Sequence, residues 1–246
     1  MGLLAVIGGS GVARLAGLVE SEPLTPATPY GPVSGPIVRG RLGPQPVLFL
    51  PRHGPDHHLP PHRINYRANL WALHRLGADR VVGLAAVGGI GEGLGPRTFA
   101  VPDQILDYTY GREHTYSDGL SDSVRHVDFT EPYCPVLRDS LLRACARVGI
   151  AAVARATYGA TQGPRLESAA EIARLERDGC HLVGMTGMPE AALARELGMR
   201  YASLAFVVNW AAGKGEGAIA MEEIGVHLHY CAGRVEEVLC ALAEDG

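Results

Sequence analysis

The sequence has no Cys-x-x-Cys pair. Its five cysteines, Cys134, Cys145, Cys180, Cys231 and Cys240, are odd in number and scattered. Neither a disulfide framework nor a zinc site is therefore expected, and all five read as structural thiols. A block of basic residues is missing too. With a net charge of -4, the chain lacks the electrostatic footprint that nucleic-acid or anionic-membrane binding requires, so small molecules are the expected partners. Long hydrophobic runs are also absent. The apolar stretch 3–7 near the N-terminus has no basic flank and is too short for a signal peptide or a membrane span, and a cytoplasmic location is expected. No Gly-x-Ser-x-Gly elbow occurs, since Gly9-Ser10-Gly11 has the wrong spacing, and a serine nucleophile is unsupported. There is no internal repeat, linker or low-complexity tract.

What is present fits one globular α/β domain spanning 1–246. The chain is 47% apolar and 20% charged, enough to build a sizeable core. Apolar β-type runs alternate with helical periods. The pattern predicts strands at 3–7, 37–42, 46–51, 80–87, 104–107, 151–160, 182–184 and 201–208, and helices at 64–76, 135–148, 168–178, 189–197 and 221–242. In the last helix Ile224, Leu228, Cys231, Val235, Val238 and Leu242 keep a three-to-four spacing, which points one face at the sheet. Four Gly/Pro-rich segments, 51–62, 88–100, 109–133 and 209–220, are too long for simple connections and are candidate site loops.

Several motifs carry chemistry. Gly8-Gly9-Ser10-Gly11 follows the first strand, where backbone N–H groups and the Ser10 hydroxyl can converge on a phosphate; a plain glycine turn is the alternative. A dinucleotide fingerprint would need a further glycine where Arg14 stands. Arg52-His53 sits at a strand end, and a guanidinium fork beside an imidazole suits a phosphate dianion, although a surface basic pair reads the same way. The cluster of His53, Asp56, His57, His58 and His62 invites a metal. Pro51, Pro55, Pro60 and Pro61 prevent a helix from aligning His53 with His57, and no second ligand segment appears, so no metal is expected. Two distant polar residues, Glu167 and Asn209, form a pair that can read a 6-oxopurine. A carboxylate only accepts hydrogen bonds and suits a purine N1–H, while an amide can donate to O6 and accept from a protonated N7. Taken singly, Glu167 equally fits a cap on the helix beginning near Ser168, and Asn209 equally fits a strand end.

Taken in order, the segments Ile7-Gly8-Gly9-Ser10-Gly11, Arg52-His53-Gly54, 64–73, Thr130-Glu131-Pro132-Tyr133-Cys134-Pro135, Gln162-Gly163-Pro164-Arg165 and Gly184-Met185-Thr186-Gly187-Met188-Pro189-Glu190 cover nearly the whole chain. They resemble the trimeric nucleoside phosphorylases, in the branch holding the methylthioadenosine and methylthioinosine phosphorylases. The resemblance implies a twisted, partly closed mixed β-sheet flanked by helices. It implies a phosphate site made by Ser10, Arg52, His53, the Ala85 and Ala86 backbone and Thr186, and it puts Met185 under the sugar. Asn209 takes the catalytic place, stabilising the departing purine at N7 and O6. Inorganic phosphate is the co-substrate, and no metal or organic cofactor is implied.

Departures from the adenine-specific relatives refine this. Their two aspartates around a tyrosine are replaced by Asn209-Trp210-Ala211, and Glu167 stands where they carry a small hydroxyl residue. Glu167, Asn209 and Ala211 thus line a base site resembling that of the 6-oxopurine enzymes. Met221 takes the place of a histidine that serves the 5'-hydroxyl in inosine-cleaving relatives; its thioether, with Ile224 one turn on, suits a methylthio group. His126 resembles a residue lent by a neighbouring subunit, which implies a homotrimer. The implied activity is phosphorolysis of S-methyl-5'-thioinosine to hypoxanthine and S-methyl-5-thioribose 1-phosphate in purine salvage. The rival readings are a general inosine/guanosine phosphorylase, a methylthioadenosine phosphorylase and, from another class, a non-catalytic nucleotide-binding module.

Overall fold

A computed structural model describes residues 2–117, 119 and 124–244. In chain order the strands are β1 (Leu3–Gly8), β2 (Val19–Leu24), β3 (Ile37–Leu42), β4 (Gln45–Pro51), β5 (Ala78–Gly89), β6 (Phe99–Ala100), β7 (Gln104–Asp107), β8 (Thr157–Ala160), β9 (Leu182–Gly184) and β10 (Arg200–Trp210). The helices are α1 (Tyr66–Arg75), α2 (Pro135–Arg147), α3 (Ala169–Arg177), α4 (Gly187–Glu196) and α5 (Met221–Glu244), with a short 3-10 turn at Pro61–Arg63.

One mixed sheet runs β2-β3-β4-β1-β5-β9-β8-β7 and branches at β5, which also pairs with β10 along nearly its whole length. Parallel strands β1, β5 and β10 are buried on both faces, so their sequences read as continuous apolar runs. The period of two then sorts the core. Ile7, Val81, Ala205 and Val207 face α1 and α4, whereas Val6, Val82, Leu204 and Phe206 face α2 and α5. A smaller cluster under α3 joins Ile172 and Leu175 to Val183 and Ala211.

Besides the unexpected two-residue β6 and a β5 two residues longer at each end, three elements depart from the sequence expectation. β2 is an edge strand, exposed along most of its length and carrying Pro23, so no apolar alternation marks it. The strand predicted at 151–160 begins only at Thr157. Upstream, Val153 makes a lone bridge to Ala100, and the Arg138 guanidinium takes the carbonyls of Val101, Pro102 and Ala154 that a longer ladder would have used. β10 runs two residues past the expected end, and its register with β5 shifts between Val207 and Asn209. Such a bulge re-aims the strand next to a site. Asn209 therefore lies within β10 rather than terminating it.

A buried polar frame pins the sheet to its helices. Beyond β4, the Arg52 guanidinium is 1% exposed and grips Glu190 of α4 with two parallel bonds of 2.7 Å, while its third bond goes to the Leu84 carbonyl of β5. Tyr201 of β10 donates to the same Glu190 carboxylate at 2.7 Å. Gly83 makes room for this: a Cβ there would fall 2.1 Å from the Tyr201 oxygen. Burial alone would lower the Arg52 pKa, and the facing Glu190 carboxylate more than offsets it, leaving it raised. His53, also buried, is pushed down to about 4, chiefly by burial and then by the adjacent Arg52 cation, with a hydrogen bond to the Leu59 carbonyl opposing them.

Removing one partner of a buried pair strands the other charge, so Glu190→Ala should lower the unfolding free energy by about 3–5 kcal/mol in urea denaturation. A loss below about 1 kcal/mol would mean that water reaches Arg52. His53 adds a pH dependence. Its folded pKa of about 4 lies below the unfolded value of about 6.5, so its contribution is complete above the unfolded value and is lost as the pH falls through this window. Wild-type stability should thus drop more between pH 7 and pH 4 than that of His53→Gln; parallel curves would contradict it.

Candidate active site

A single cavity opens at the carboxyl ends of β1, β4, β5 and β10, the place where α/β sheets bind ligands. Ser10, Arg52, His53, Ala85, Ala86, Glu167, Met185, Thr186, Asn209, Ala211 and Met221 all line it. His126 does not; it sits on an exposed segment of the long connection between β7 and α2. Of the four candidate loops, 51–62 and 209–220 reach the cavity, 88–100 contributes only Gly88, and the described residues of 109–133 contribute nothing.

One end of the cavity is cationic and polar. Arg52 spends three of its five N–H groups on Glu190 and Leu84, which leaves two for an anion. Thr186 directly precedes α4, whose first residues are interrupted by the extended backbone of Met188, so the continuous helix starts only at Pro189. The Ser10 hydroxyl lies 2.9 Å from His57 Nε2, and the His57 ring stacks on His53 with centroids 4.5 Å apart. His53 Nδ1 is 2.8 Å from the Leu59 carbonyl. A carbonyl only accepts, so Nδ1 carries the proton, and in a ring held neutral by burial Nε2 keeps a lone pair. The expected imidazole partner of a phosphate dianion is thereby narrowed to an acceptor, suited to a P–OH or a sugar hydroxyl.

The opposite end carries the paired polar residues. Glu167 Oε1 accepts from the Thr161 hydroxyl at 2.6 Å. The helix-capping alternative for Glu167 does not hold, because α3 is capped by Ser168, whose hydroxyl and backbone N–H form a capping box with Glu171. Asn209 donates one amide proton to the Trp210 carbonyl at 2.7 Å. Met221 begins α5 and, with Ile219, Ile224 and Leu228, makes an apolar wall. That wall is uncovered in the single chain: Met221 is 69% exposed and Leu166, also lining the cavity, 40%.

Sequence reasoning missed the residues that hold the site from behind. Glu190 fell inside a recognised segment yet had no role. Tyr201 looked like one more apolar strand residue. Arg112, buried under the cavity floor, lies in a polar stretch with no periodicity to flag it. All five cysteines are free thiols. Among the described residues, no three His, Cys, Asp or Glu side chains group as metal ligands, and no helix is long and apolar enough to cross a membrane.

Comparison with known proteins places this geometry in a family. A Xylella fastidiosa protein named as a probable S-methyl-5'-thioinosine phosphorylase is 58% identical over 90% of this chain and 94% of its own. The 6-oxopurine nucleoside phosphorylase of Pyrococcus furiosus is 45% identical, covering 90% of this chain and 84% of the relative. Among solved structures, a methylthioadenosine phosphorylase from an antarctic soil metagenomic library superposes with a TM-score of 0.91 at 36% identity, over 98% of this chain and 85% of that one. The model of the phosphorylase superfamily matches residues 3–244, and the chain belongs to that superfamily.

Proposed function

We propose that the protein catalyses phosphorolysis of S-methyl-5'-thioinosine, giving hypoxanthine and S-methyl-5-thio-α-D-ribose 1-phosphate, with inorganic phosphate as co-substrate and no metal or organic cofactor. The observation that carries this reading is the co-location, in one cavity, of Glu167 and Asn209 with the apolar wall of Met221, Ile224 and Leu228 and the cationic end at Arg52. It is supported by the 58% identical relative named for that activity.

Phosphate itself is the nucleophile. In this reading Ser10, Arg52, Thr186 and the Ala85–Ala86 backbone hold it below C1' of the sugar, and His53 Nε2 accepts a hydrogen bond from its P–OH. The bond to the purine breaks through an oxocarbenium-like state, so a phosphate negative charge near C1' favours the transition state over the ground state. Met185 offers an apolar floor to the flattened ring. Asn209, assisted by Glu167 at N1–H, stabilises the purine as negative charge develops on N7 and O6. Because a bound base would shut water away from these half-buried groups, an adenine-type base that fails to match them should be rejected by about four orders of magnitude.

The neighbouring copy completes the reading. The exposed Met221 and Leu166 at the cavity mouth, and His126 with Val124 on an exposed segment that does not line this cavity in its own subunit, fit a homotrimer in which one copy covers the 5' end of the next. A second reading, a general 6-oxopurine nucleoside phosphorylase, is favoured by the exposure of Met221 and by the 45% identical Pyrococcus furiosus relative.

A phosphate-dependent cleavage assay with S-methyl-5'-thioinosine, inosine and methylthioadenosine at equal concentration separates these. The thioinosine should be cleaved fastest; parity with inosine selects the second reading, and faster methylthioadenosine cleavage overturns the base assignment. Met221→His supplies a hydrogen-bond partner for a 5'-hydroxyl and removes the thioether. It should raise kcat/KM for inosine relative to the thioinosine by about 10-fold or more, and an unchanged ratio would take Met221 out of the pocket.

A further inference from the structure

We propose that Arg112 is a positioning residue that sets the base-reading carboxylate and the sugar floor in place through their backbones, an inference that rests on the substrate reading above. Arg112 is 9% exposed and does not line the cavity. Every oxygen it donates to is neutral. Nη2 bonds the carbonyls of Thr161 at 3.2 Å and Gln162 at 2.9 Å, and Nε bonds the Gln162 side-chain oxygen at 3.1 Å. Nη1 bonds the carbonyls of Met185 at 2.9 Å and Met188 at 2.6 Å, together with the Tyr66 hydroxyl at 3.2 Å.

Most buried arginines answer a carboxylate, as Arg52 does. A guanidinium held only by dipoles keeps its full charge, and here four of the dipoles are main-chain carbonyls from two segments far apart in sequence. Both segments face the cavity. The first runs from Thr161 to Glu167, and the Thr161 hydroxyl is the donor to Glu167 at 2.6 Å. The second holds Met185 and Thr186. They touch at Gly163, whose φ is +60° and where a Cβ would lie 2.3 Å from the Met185 sulfur. Arg112 thus links Glu167, through Thr161, to Met185, directly. The planar fork matters: five N–H groups in fixed directions can span two segments, whereas a lysine ammonium is a single point with three donors.

Arg112→Lys keeps the charge and loses the span. Misplacing the base and sugar contacts by about 1 Å should lower kcat/KM for the nucleoside by about 100-fold, with the KM for phosphate within about 3-fold, since only Thr186 of the phosphate residues adjoins the segment Arg112 holds, and Ser10, Arg52 and the Ala85–Ala86 backbone belong to other elements. Thr161→Val removes only the hydroxyl on Glu167 and should cost about 10-fold in the same parameter. Combined with Arg112→Lys it should add less than about 3-fold, because the two act along one route. The assay uses whichever purine nucleoside the wild-type enzyme cleaves best. Wild-type preference then judges the substrate reading, while the ratio of variant to wild type judges Arg112. A purely structural arginine would lower the melting temperature and leave both KM values alone. That outcome, equal shifts in both KM values, or multiplicative losses in the double variant would overturn the proposal. If Arg112→Lys does not fold, Thr161→Val decides: the 10-fold loss supports the route to Glu167 and wild-type kinetics refutes it.

Discussion

Taking the Arg52 guanidinium out of water costs several kcal/mol unless its charge and its N–H groups are matched together. The match is drawn from three elements: Glu190 of α4, the Leu84 carbonyl of β5 and, through the shared carboxylate, Tyr201 of β10. None of these can shift alone without stranding a charge or a carbonyl. The frame therefore fixes where β4 ends relative to β5 and where α4 begins, and both places form the cavity wall. Glu190 orients Arg52 and offsets part of its charge, so the cationic end of the cavity presents directed N–H groups, and any selectivity for an anion comes from their geometry.

The sheet supplies the rest of the placement. Because β5 pairs with β1 and then β9 on one edge and with β10 on the other, its carboxyl half lies at the centre of a branched sheet. Three separate chain segments can end around it. The bulge between Val207 and Asn209 interrupts the alternation that sends neighbouring residues to opposite apolar cores, and a polar side chain follows it. Arg112 answers a different need, holding together two loops just beyond the paired ends of β8 and β9.

Most of the architecture was legible because its signals are local. Parallel strands buried on both faces announce themselves as apolar runs, Ser168 and Glu171 mark the start of α3, and α5 keeps a helical stripe over its whole length. β2 was invisible because an exposed edge strand with a proline has no reason to alternate. The early end assigned to β10 reflects Asn209 itself, a poor strand former held in place by pairing with Gly88. The cavity-lining residues were legible for another reason: they fall in compact polar or glycine-rich motifs, whereas Arg112 and Tyr201 lie outside the cavity and in no such motif.

The sequence by itself determined the alternation of strands and helices, the absence of disulfide and zinc spacing, and the types of group available to a ligand, since each depends on neighbours within a few residues. Only the tertiary structure decided how those groups are used. It gave Glu167 to Thr161 rather than to a helix cap, turned His53 into a neutral acceptor by burying it beside Arg52, and left Met221 uncovered at the cavity mouth. The reason is physical. Desolvation and hydrogen-bond direction are properties of the surrounding volume, which brings together residues as distant as Arg52 and Glu190, 138 positions apart.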